Sequence, residues 1–102
     1  MIGRLWHGWA TPENADAYER LLRETVLPDI ERIDGYRGAY LLRREAGEEV
    51  EFVTLTLWES WDALRTFAGE DHEAAVVPPA ARALLSRFDE RSAHFETLVE
   101  PR

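Results

Sequence analysis

Residues 50–58, VEFVTLTLW, constrain this chain more than any other segment. Successive side chains of a strand point to opposite faces. One face of this strand carries Val50, Phe52, Thr54, Thr56 and Trp58, and the other Val53, Leu55 and Leu57. An antiparallel sheet normally keeps one polar face in water. Both faces here are largely apolar or threonine, so both need cover. Helices of the same chain can cover one. The second would expose more than the few hundred Å² of apolar patch a monomer tolerates. At ~25 cal/mol per Å² of buried apolar surface, a second copy of the same sheet is the expected cover.

The flanking segments fit such a sheet. Residues 2–10 read as a first strand centred on Leu5 and Trp6. Thr11 offers an N-cap oxygen and Pro12 suits the first helical position. Ala15, Tyr18, Leu22, Val26, Ile30 and Ile33 then recur at spacings of three and four, predicting an amphipathic helix of about six turns. Pro28 inside it removes a hydrogen bond to Glu24 and predicts a kink. Asp34-Gly35 ends that helix, residues 36–45 form a strand, and Ala46-Gly47-Glu48-Glu49 is a hairpin turn. Ser60 caps a second helix that ends at Gly69. An irregular stretch, residues 70–77, follows and could serve as a lid. Pro78-Pro79 starts a third helix with Ala81, Leu84, Leu85 and Phe88 inward. Residues 92–99 make a last strand and residues 100–102 a tail. The order β-α-β-β-α-α-β predicts an α+β, ferredoxin-like fold with a four-stranded antiparallel sheet, paired sheet to sheet as a homodimer.

Composition narrows the function. The 102 residues are 45% hydrophobic and 31% charged, which suits a single domain over residues 1–102. With 20 acidic against 12 basic residues the net charge is −8, which disfavours nucleic acid and anionic membranes. The chain has no cysteine, hence no disulfide frame and no thiolate metal site. The first ten residues lack a signal-peptide pattern, and no run approaches the ~20 apolar residues of a membrane span. A cytoplasmic protein is expected. No dinucleotide fingerprint, P-loop, nucleophile elbow or metalloprotease motif occurs, so neither a cofactor nor a metal is expected.

The runs IERIDGYRGAYLLRRE, EVEFVTLTLWESWDALRTFAGEDHEAA and SAHFETLV resemble the antibiotic biosynthesis monooxygenase family of dimeric α+β barrels. The likeness spans nearly the whole chain and is carried best by the corner IDGYRG and the passage TLWESWDALRTF. It implies a pocket between helices and sheet and a cofactor-independent oxygenase acting on a small planar aromatic or quinol-type molecule. A non-catalytic binding or structural dimer of the same fold is the alternative. The haem-degrading branch of the family uses an asparagine, a tryptophan and a histidine where this chain has Trp6, Phe67 and Val77. Haem binding or degradation is therefore disfavoured.

Several residues are candidates for the chemistry. His72, in an irregular segment after Glu70-Asp71, is the expected catalytic base, able to take a phenolic or enolic proton. A surface histidine beside acidic neighbours is the plainer reading. Trp6, Phe67 and Val77 would wall the pocket, and Arg82 would contact substrate; Arg4 and Arg37 are further partners for an anion, though such arginines mostly face solvent. His7 and His94, on the first and last strands, are expected to face each other as a hydrogen-bonded pair, too few ligands for a closed zinc site. Trp9 and Trp61 are packing aromatics by default, and Trp58 is expected at the dimer interface.

Overall fold

The computed structural model describes residues 1–101; Arg102, the end of the expected tail, lies outside them. The chain runs β1 (Ile2–Ala10), α1 (Pro12–Leu21), a π-helical turn (Leu22–Val26), α2 (Leu27–Ile30), β2 (Tyr36–Ala46), β3 (Glu49–Trp58), α3 (Trp61–Ala68), α4 (Pro79–Leu84), β4 (Leu85–Phe88) and β5 (Ala93–Glu96). The sheet is antiparallel in the order β2-β3-β1-β4, with β5 also on β1. The fold is α+β with five strands rather than the expected four, because the last edge position is filled by two segments in series. β4 pairs with Gly8–Ala10, and β5 with residues 2–5 of β1. Between them the chain leaves β1: Ser92 N–H donates to Glu73 O (2.6 Å) and Ala75 N–H to Glu90 O (2.9 Å). The break therefore ties the 70–77 stretch to the sheet edge.

Two expected boundaries are corrected. The third helix stops at Leu84, and Leu85 and Phe88 lie in β4 opposite Ala10 and Gly8. The last strand stops at Glu96, leaving Leu98 and Val99 85% exposed. The first helix begins at Pro12 as expected, but the Thr11 hydroxyl does not cap it. Instead the Thr11 carbonyl accepts from the N–H groups of Asn14 and Ala15, both at 3.0 Å. Pro28 has no N–H to give Glu24, and the helix adapts just before it by widening rather than breaking. In the π turn the Leu27 N–H reaches back five residues to Leu22 O.

At the IDGYRG corner Gly35 has φ +91°, and a Cβ there would stand 2.4 Å from the Ala63 Cβ. Only glycine lets β2 start so close to α3. Its carbonyl accepts from Glu59 N–H at 2.7 Å, joining the corner to the start of that helix. In the β2–β3 hairpin Ala46 pairs with Glu49 around Gly47-Glu48.

The helices cover one face of the sheet and build two separate cores there. One joins Ala10, Val50 and Phe52 to Ala15, Tyr18, Leu22 and Ala81. The other joins Ile2 and Trp58 to Ile30, Ala63 and Leu64. Trp58, expected at an interface, is fully buried in this second core, stacked on Phe67 at 5.2 Å. Its indole N–H donates to Thr56 Oγ1 (2.9 Å). Among the described residues no helix is long and apolar enough to cross a membrane.

Candidate functional site

The stretch of sheet between the two cores is where the helix-facing pattern changes. Along β1 it reads Ile2, Arg4, Trp6, Gly8, Ala10, and along β3 Trp58, Thr56, Thr54, Phe52, Val50. Apolar ends flank a centre formed by the cross-strand pairs Arg4–Thr56 and Trp6–Thr54. Here the helices do not close on the sheet. A cleft with about 560 Å³ of empty space, part of it open to solvent, is floored by those four residues. Leu22, Val26 and Ile30 wall it from the first helix, Phe67 from α3, and Val76, Val77 and Pro78 from the following stretch. The π turn thus belongs to the wall, where a local change of helical pitch sets how far its side chains reach. Gly8 gives the Trp6 indole room, since a Cβ there would stand 3.1 Å from the ring. The Trp6 indole N–H donates to Asp89 O at 2.7 Å and fixes the ring in the cleft.

Arg4 is the one charged group on this lining. It is only 5% exposed, against the expectation of a solvent-facing arginine. Its Nη1 donates to the His72 carbonyl and lies 3.0 Å from His94 Nε2, and its Nη2 donates to Ala74 O at 2.9 Å. The guanidinium also lies over the Phe67 ring, 5.5 Å from its centre. Among the described residues no carboxylate reaches salt-bridge distance of it. The nearby acids Asp71 and Glu73 are taken by Arg91, at 2.8 and 3.3 Å. Burial pushes the Arg4 pKa down to about 10. Arg4 therefore stays charged at neutral pH, without a counterion, against an apolar cavity.

Behind Arg4 stands an aromatic cluster. The rings of His72 and His94 meet at 5.1 Å, and Trp61 packs on them at 5.2 and 5.7 Å. Burial first, then the charges of Arg4 and His72, hold the His94 imidazole below its ordinary range, with Glu73 opposing. His94 is thus neutral at neutral pH, which lets Nε2 accept from Arg4. Two more polar residues line the cleft, Ser92 and Tyr18. Ser92 Oγ is buried with no hydrogen-bond partner. Tyr18, almost fully buried, has its phenol pKa pushed up by desolvation.

Trp6, Phe67 and Val77 all stand on the cleft lining. His72 does not: its carbonyl meets Arg4, and its ring packs on His94 and Trp61, one layer behind the wall. Arg82 is also off the lining, its guanidinium 5.1 Å over the Phe88 ring, and Arg37 is an outer partner of Glu59 at 2.7 Å. The expected His7–His94 pair does not exist, because the residues occupy opposite faces of the sheet. His94 is opposite Arg4 on the helix side, whereas His7 lies on the open face and bonds Glu51 at 2.7 Å. Sequence reasoning missed Thr54, Thr56, Ser92 and Tyr18. The signal for the threonines was their place, midway along an otherwise apolar face.

The antibiotic biosynthesis monooxygenase family model matches residues 1–79. A conserved protein from Methanosarcina mazei Go1 superposes with TM-score 0.71 at 14% identity, covering 95% of this chain and 92% of that one. The N63A mutant of SnoaB, a cofactor-independent oxygenase from Streptomyces nogalater, gives 0.68 at 19% identity over 97% and 94%. The haem degrader MhuD from Mycobacterium tuberculosis gives 0.62 at 21% identity over the whole of both chains. At such identities these likenesses speak for the fold alone. No curated protein matches the chain. The family match covers more than three quarters of the sequence, and the chain belongs to the antibiotic biosynthesis monooxygenase family.

Proposed function

We propose that the chain is a cofactor-independent monooxygenase for a small planar phenol or quinol bound in the cleft on the helix-covered face. The observation that carries this reading is the buried Arg4 guanidinium, with no carboxylate of the described residues at salt-bridge distance, on a wall it shares with Trp6 and Phe67. A positive charge in an apolar site favours the ionised form of a bound phenol. The proton leaves through Arg4: the guanidinium takes it up while an Nη1 proton passes to the neutral imidazole of His94 behind it, which His72 backs. This moves the role of base from His72 to its neighbour, with His72 as the positioning residue. A ring carbon of the electron-rich phenolate then bonds to dioxygen and forms a hydroperoxide. Its O–O bond breaks as water leaves, and that carbon becomes a carbonyl. The substrate loses two hydrogens and gains one oxygen, and the other oxygen atom departs as water. All the electrons come from the substrate.

A haem is a poor fit for the same cleft. Val77 offers no ligand, both imidazoles of the cluster stand behind the lining, and the lining carries the Arg4 cation instead of a metal ligand. Hemin added to the protein is expected to leave the Soret band where it lies in buffer.

The second face of the sheet also supports a homodimer. Tyr40, Leu42 and Phe95 are 45, 53 and 53% exposed there, around the partly buried Leu5, Val53, Leu55 and Leu57. A second copy placing the same face against them buries a self-complementary apolar patch.

A binding dimer without turnover is the competing reading, favoured by the absence of any imidazole from the cleft lining itself. Oxygen uptake with hydroquinones separates the two. An oxygenase consumes oxygen above the rate in buffer, and His94→Ala lowers that rate by about 10² to 10⁴-fold, as loss of a general base does. Binding with no uptake leaves the second reading.

A further inference from the structure

Arg4 has five N–H donors. Three are used, two from Nη1 toward His72 O and His94 Nε2 and one from Nη2 toward Ala74 O. The Nε–H and one Nη2–H donate to no described residue. Nε and Nη2 are the pair of guanidinium nitrogens that grips a carboxylate with two parallel hydrogen bonds. A second, independent orphan lies on the same lining. Ser92 is 6% exposed, and its Oγ has no hydrogen-bond partner among the described residues. Buried polar groups are nearly always satisfied, and an exception asks for a missing partner. Neither group lacks one for want of nearby acids, because Asp71 and Glu73 point instead to Arg91. The rest of the cleft is two aromatic rings, Trp6 and Phe67, and aliphatic walls.

We infer that the cleft takes a planar aromatic acid, its carboxylate bonded to Arg4 Nε and Nη2 and accepting from Ser92 Oγ, its rings between Trp6 and Phe67. This names the substrate class of the cleft and rests on the reading of that cleft as the ligand site. It does not depend on turnover. A quinol offers the guanidinium a single oxygen, whereas a carboxylate has two oxygens for the free N–H groups of Arg4 and can also accept from the hydroxyl. A phosphate monoester would bring more charge than one guanidinium offsets.

The test is binding without oxygen. An ortho-hydroxynaphthoate and its carboxamide have nearly the same shape and differ in charge. Calorimetry on the whole chain under nitrogen is expected to give the acid about 30-fold tighter binding than the amide, in the range of a charge-assisted bidentate contact. Arg4→Gln is expected to erase that preference. Ser92→Ala is expected to weaken the acid about threefold to tenfold and leave the amide unchanged. It should also leave the melting temperature unchanged or higher, because its hydroxyl bonds nothing in the free protein. The Ser92→Ala arm stands even where Arg4→Gln does not fold. Equal binding of acid and amide, binding of neither, or an acid preference that survives in folded Arg4→Gln would overturn the inference. Binding of the acid with no oxygen uptake would keep this site and remove the oxygenase reading. Uptake with neutral quinols and no acid preference would do the reverse.

Discussion

Arg4 and Glu51 stand on neighbouring strands, on opposite faces of one sheet, and each is 5% exposed. Glu51, on the open face, has a partner for each oxygen: Arg44 Nε at 2.7 Å and His7 Nδ1 at 2.7 Å. Arg44 first, then His7, holds its pKa below the usual carboxylate range. Among the described residues Arg4, on the covered face, bonds carbonyls and a neutral imidazole and lies over the Phe67 ring, with no carboxylate at salt-bridge distance. A buried charge with its counterion in place is spent on structure. A buried charge without one is available to a ligand. The same contrast holds for the apolar residues, because the covered face is closed by helices of its own chain while Tyr40, Leu42 and Phe95 stay exposed on the open face.

Substitutions should break the two faces in different ways. Trp58→Ala removes a fully buried ring from the covered face and is expected to cost about 3–5 kcal/mol, read by denaturant unfolding. Leu42→Asp on the open face is expected to separate the dimer, read by sedimentation, while the lone subunit stays folded with a change within about 0.5 kcal/mol. If Leu42→Asp unfolds the chain instead, the open face is a core in its own right.

The two faces should also lose stability in different pH windows. His94 has a lowered pKa, so the unfolded chain takes up a proton near the ordinary histidine value while the folded chain stays neutral. Stability should then fall as pH drops below about 6.5, and His94→Phe should flatten that decline. Glu51 works lower. Its depressed pKa stabilises the fold above the unfolded carboxylate value of about 4.3, and the benefit disappears as pH falls through the folded value. Glu51→Gln should remove part of that acid arm and leave the histidine window untouched. Melting temperatures across pH measure both. A single transition in which both variants move the same limb would erase the distinction between the faces.

Much of the fold was legible because local and global signals agree along β3, at the Ser60 cap and at the Gly35 corner. Residues 84–88 were not, because Ala81, Leu84, Leu85 and Phe88 fit a helical spacing as well as a strand. Only pairing with Ala10 and Gly8 decides between the two. Trp58 was put on the right face of its strand, but with both faces apolar nothing local said which one the helices cover. Arg4 is the instructive case. The habit of arginines on acidic surfaces hid it, although its place between Ile2 and Trp6, opposite Thr56, already marked a polar centre in an apolar face. His72 drew attention through its neighbours in sequence, whereas its ring serves His94, a neighbour only in space.

Isotopically heavy dioxygen tests the proposed chemistry of the Arg4 cleft most directly. Supplied with an ortho-hydroxynaphthoate that carries a second, para hydroxyl, the protein should place one heavy oxygen atom in each product molecule and the other in water, and Arg4→Gln should not. Product free of heavy oxygen, or hydrogen peroxide formed in its place, would contradict the account.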